Sequence, residues 1–90
     1  MSAKRMEVLN FIHKRQGKVT TVEFINKFNS FCIHLEKLHT EKVEFTTITF
    51  SDSEDKKYTS KIEVVGMDEV SIKNHQLEIT FYDGSKIIIR

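Results

Sequence analysis

The sequence predicts one α+β domain over residues 1–90. Two N-terminal helices lead into a four- to five-stranded antiparallel β-meander, and the long second helix packs on one face of the sheet. Three observations carry this. Apolar residues recur at steps of three and four between Met6 and Leu38. From Val43 onward the recurrence shortens to two. Turn-forming pairs, Asn74-His75 and Asp83-Gly84, separate the later segments. Helices first and strands afterwards is the order of an α+β domain.

The first helix is expected over residues 3–16. His13, Lys14 and Arg15 sit in its last turn, where cations suit the negative end of the helix dipole. Gly17 follows as the stop signal. Met6, Leu9 and Ile12 form the predicted core stripe. Lys4, Val8, Phe11 and Arg15 make a second line at steps of four, three and four. That line is a candidate contact strip for a partner, or Phe11 is simply core.

The second helix is expected over residues 20–39. Thr20 and Glu23 have the spacing of a capping box, with Val19 and Phe24 as the flanking staple. Phe24, Phe28, Phe31, Leu35 and Leu38 then fall on one face, widened by Ile25 and Cys32. At 1.5 Å per residue this rod is about 28 Å long. An eight-residue strand is nearly as long, about 27 Å, so helix and sheet match.

Strands are expected near 43–50, 57–65, 69–73, 76–82 and 86–90. Val43 and Phe45 are out of phase with Ile48 and Phe50, which a bulge near Thr46-Thr47 would repair. Residues 51–55, Ser-Asp-Ser-Glu-Asp, make a polar turn. Leu77, Ile79 and Phe81 alternate against Glu78 and Thr80. Ile87, Ile88 and Ile89 are apolar on both faces of the last strand. Such a strand is either covered on both sides or has a neighbour in another chain, and the second reading makes these three residues a candidate homodimer interface. The other solution is a central strand whose outer face is covered by Lys57 and Lys61.

Composition narrows the function. A chain this short buries roughly 60–65% of its unfolded surface, so its core is small. The net charge is +1, which argues against a surface built wholly for nucleic acid or anionic membrane. Cys32 is the single cysteine, so no internal disulfide forms and a reducing, cytoplasmic setting is expected. No apolar run approaches the ~18 residues of a membrane span, and the basic start, Met1 to Met6, is not followed by an apolar leader segment. Frequent Ile, Lys, Phe and Asn with scarce Ala and Arg suggest AT-rich coding DNA, as in a phage or mobile element.

No constellation for catalysis stands out. Cys32 and His34 are two apart on the expected helix and point apart, and His13, His39 and His75 are scattered, so no metal set is expected. Residues 52–55 lack the Gly and terminal Glu of an EF-hand loop. No Gly-rich phosphate loop is present, and no cofactor is expected. Charge is more informative. Residues 1–18 carry five Lys or Arg against one Glu, whereas residues 43–90 carry nine acidic against six basic groups.

The stretch Arg5 to Phe28, with Val8-Leu9, Ile12, Gly17, Val19-Thr20-Thr21 and Glu23-Phe24, resembles the opening of a winged-helix DNA-binding domain of the DeoR type. The resemblance covers about a quarter of the chain. It implies a break at Asn29-Ser30, a recognition helix from Phe31 to His39, and a wing from the first two strands. Ile25 where a small residue is usual, a turn without Gly, and no Arg to read guanine depart from that pattern. Two functions are therefore expected. The first is a small non-enzymatic module that docks on another protein as a regulator or inhibitor. The alternative is a DNA-binding regulator using Lys4, Lys14, Arg15 and Lys18.

Overall fold

A computed structural model describes residues 3–52 and 59–90. Helix α1 spans Ala3–Lys14 and is followed by eight strands. These are β1 (Thr20–Ile25), β2 (Ser30–Leu35), β3 (Leu38–Val43), β4 (Thr47–Asp52), β5 (Thr59–Glu63), β6 (Met67–Lys73), β7 (Gln76–Phe81) and β8 (Lys86–Ile89). They form a five-stranded sheet in the order β2-β1-β8-β7-β6 and a three-stranded sheet in the order β3-β4-β5, antiparallel throughout. The expected α+β fold with two helices is therefore corrected to a mostly β fold with one short helix. The rest of the turn at Ser51–Asp55 and the start of the strand expected from residue 57 lie outside the described residues.

The second helix is replaced by strands β1 and β2. Its stripe was compatible with both periods. Val22 and Phe24 alternate on one strand, and Phe31, Ile33 and Leu35 alternate on the next, all toward the same side. Phe24 and Phe31 are register partners whose rings stack at 4.9 Å. Thr20 is no helix cap: it is buried in β1 and its hydroxyl donates to the Lys18 carbonyl at 3.0 Å. Asn26 makes the hairpin instead. Its side-chain oxygen accepts the amides of Phe28 and Asn29, each at 2.9 Å, which turns the chain locally. Phe28, at the tip, is 88% exposed.

The phase change around Phe45 is a hairpin rather than a bulge. The Glu44 amide donates to the Thr47 carbonyl at 2.8 Å, so Val43 and Ile48 lie opposite each other on β3 and β4. True irregularities occur between Thr40 and Lys42 on β3 and between Met67 and Glu69 on β6. The turns at Asn74-His75 and Asp83-Gly84 stand where the sequence placed them. Asn74 and His75 both have positive φ, 52° and 62°, as a two-residue type I′ connection requires. At the other hairpin the Ser85 hydroxyl and amide donate to Asp83 Oδ1 and hold its carboxyl below the usual range.

One core joins both sheets and the helix. Leu35, Ile48, Phe50, Ile62, Leu77, Ile79 and Ile89 are all almost fully buried within it. Helix α1 meets this core through Val8, Phe11 and Ile12, while Met6 is 42% exposed. The helix is thus rotated from the expected Met6-Leu9-Ile12 stripe, because the side the sequence left for a partner is the side the sheets cover.

Candidate functional site

The C-terminal half of α1, the connection to β1 and the β6–β7 turn enclose a groove of about 470 Å³. Glu7, Asn10, Phe11 and Lys14 come from the helix, Arg15 and Lys18 from the connection, and Ile72 and His75 from the facing hairpin. Phe11 supplies a mostly buried floor, and half-exposed Ile72 supplies one wall. Three fixed cations and one imidazole therefore ring an apolar base, with Glu7 the single carboxylate among the described lining residues.

The local structure explains why the cations converge. Gly17 has φ +76°, a left-handed conformation that lets the chain leave the helix sharply. The connection is then pinned to β3. The Gly17 amide donates to the Leu38 carbonyl at 2.8 Å, and the Leu38 amide to the Lys18 carbonyl at 3.0 Å. Gln16 adds a second clamp, accepting the Thr40 amide at 3.0 Å and donating to the Thr40 hydroxyl at 2.6 Å. Lys14, Arg15 and Lys18 are held on this fixed curve. Arg15 Nη2 donates to the Val19 carbonyl at 3.1 Å, while its buried Nε has no acceptor among the described residues.

The structure divides the candidates made from sequence. Lys14, Arg15 and Lys18 come together. Lys4 does not join them: it lies ten helical residues, about 15 Å, from Lys14, and donates to the Asp68 carbonyl. In the strip Lys4, Val8, Phe11 and Arg15, Val8 is fully buried, so the four do not form a continuous exposed surface. Ile72 and His75 were not expected at the site. The sequence marked their turn but gave no sign of which face it would meet.

The winged-helix expectation fails on topology. The presumed recognition helix, Phe31 to His39, is β2, a turn and the start of β3. The candidate dimer strand is also relocated. β8 lies between β1 and β7, with Ile87 and Ile89 buried in the core, so it offers no free edge. Ile88 lies on the outer face opposite Glu23 and Glu78. Those carboxylates pair with Arg90 at 2.9 Å and Lys86 at 3.1 Å, giving that face a charged cover. Lys57, one of the two covers expected from sequence, lies outside the described residues.

Among the described residues, no three His, Cys, Asp or Glu side chains gather as a metal set, and no helix is long and apolar enough to cross a membrane. No protein-family model, curated protein or solved structure matches the chain.

Proposed function

We propose that this protein is a non-enzymatic binding module that docks on another protein by taking an acidic, partly apolar segment into the groove between α1 and the β6–β7 hairpin. The observation that carries this is the lining itself: Lys14, Arg15, Lys18 and His75 stand around Phe11 and Ile72. Charges at the rim favour carboxylates and speed encounter, while an apolar floor rewards one inserted side chain. The planar Arg15 guanidinium at the groove suits a carboxylate. A regulator or inhibitor from a mobile element fits this mode of action.

A peptide selection tests the reading. Wild-type protein is expected to enrich acidic peptides bearing an apolar anchor from a random library. Their binding is expected to weaken with salt and to be lost on Lys14→Glu/Lys18→Glu. No enrichment over that double variant removes the proposal. Preferential binding of duplex DNA over the selected peptides, abolished by the same variant, would assign the groove to phosphate contacts instead.

A further inference from the structure

Four strands lie at sheet edges: β2 and β6 in the larger sheet, β3 and β5 in the smaller. Proteins defend such edges with charges, bulges or a covering segment, because unpaired amides and carbonyls invite another strand. β6 has a bulge, carries Asp68, Glu69 and Lys73, and is flanked by α1. β3 has a bulge, and the connection from Gln16 to Lys18 occupies its outward groups. β5 carries Lys61 and Glu63. Among the described residues β2 shows none of these. Its sequence, Ser-Phe-Cys-Ile-His-Leu, holds no Lys, Arg, Asp, Glu, Pro or Gly, and it pairs with β1 without a bulge.

The direction of its free groups follows from hydrogen bonds already made. Thr21 and Arg90 exchange both of their backbone bonds, at 2.6 and 2.9 Å. Bonding direction alternates along an antiparallel strand. Thr21, Glu23 and Ile25 therefore address β8, and Thr20, Val22 and Phe24 address β2. Their partners Leu35, Ile33 and Phe31 are satisfied. Ser30, Cys32 and His34 turn their amides and carbonyls away from the sheet, and all three are exposed.

We propose that this edge pairs with the same edge of a second copy, antiparallel about a two-fold axis at Cys32. Three pairs then form: Ser30 with His34 of the second copy, Cys32 with Cys32, and His34 with Ser30. Registers displaced by two residues in either direction leave some of these groups without a strand partner. The same register sets Phe31, 55% exposed in the single chain, against Ile33 of the other copy on the core face. No acidic or lysine side chain faces its like within the paired strands. The strand is thus complementary to itself in this register, as a two-fold interface requires. The groove at β6 is at the opposite edge of the sheet and stays open.

Charge exchange at position 32 tests both the surface and the register. Cys32 is exposed on the outer face, so replacing it leaves the core intact. Reduced wild-type protein is expected to sediment as a dimer at micromolar concentration. Cys32→Lys and Cys32→Glu, each with an unchanged circular dichroism spectrum, are each expected to sediment as monomers. An equal mixture of the two variants is expected to recover the dimer, because position 32 faces itself. A monomeric wild type, a dimer indifferent to both substitutions, or a mixture that stays monomeric would each overturn the proposal.

Discussion

Asp52 holds the backbone of Glu36. Its Oδ2 accepts the Glu36 amide at 2.8 Å, and its Oδ1 accepts the Lys37 amide at 3.2 Å. Glu36 and Lys37 form the turn by which the chain leaves the larger sheet and starts the smaller one, and Asp52 is 4% exposed at the end of β4. A buried carboxylate here accepts from two backbone amides of the turn between the sheets. Asp52→Ala removes both of these bonds, and we expect it to cost about 2–3 kcal/mol, the scale of hydrogen bonds to a charged group. Chemical denaturation measures this. A loss under ~0.5 kcal/mol, the range of ordinary surface changes, would remove Asp52 as the tie between the sheets.

Two phenylalanines separate the observed fold from the helical expectation. Phe50 is 1% exposed and Phe28 is 88% exposed. Phe50→Ala is expected to cost roughly 3–5 kcal/mol by opening a cavity. Phe28→Ala is expected to change stability by less than ~0.5 kcal/mol. The reverse ranking in denaturant midpoints would restore the helix with a phenylalanine stripe.

His75 occupies a left-handed conformation that suits glycine. That conformation costs an L-residue about 1–2 kcal/mol, while glycine adds chain entropy worth ~0.5–1 kcal/mol. His75→Gly is therefore expected to raise stability by about 0.5 kcal/mol and also remove the groove's imidazole. His75→Val, branched at Cβ, is expected to lower stability. Thermal melting of the pair decides: a His75→Val protein as stable as wild type would mean the turn is not type I′.

Much of the chain after Ile48 was legible in the sequence because its signals agree. Leu77, Ile79 and Phe81 alternate, and both flanking turns use residues that accept positive φ. The region from Thr20 to Leu38 was misread because two periods coincide on the same residues. Phe24, Phe31 and Leu35 satisfy a helix and a hairpin equally. Phe28 and Ile33 discriminate, since a helix buries the first and a hairpin buries the second. The β-branched run Val19-Thr20-Thr21-Val22 and the two asparagines at 26 and 29 favoured the hairpin. At the groove, the cations Lys14, Arg15 and Lys18 stood out because they are neighbours in sequence. Ile72 and His75 did not, because only the packing of α1 beside β6 brings them near.

The place of β8 governs how the larger sheet is assembled. Hairpins β1–β2 and β6–β7 are each local, and each closes with a short loop. In the ladder of the larger sheet they are joined through Lys86–Ile89, which pairs with Val22–Ile25 on one side and Leu77–Thr80 on the other. Closing that gap spans most of the described chain, and its entropic cost falls before any pairing with β1 repays it. β8 already folds back on β7 through the Asp83-Gly84 turn, so β6, β7 and β8 make a local meander, and the one distant pairing that completes the five-stranded sheet is that of its last strand with β1.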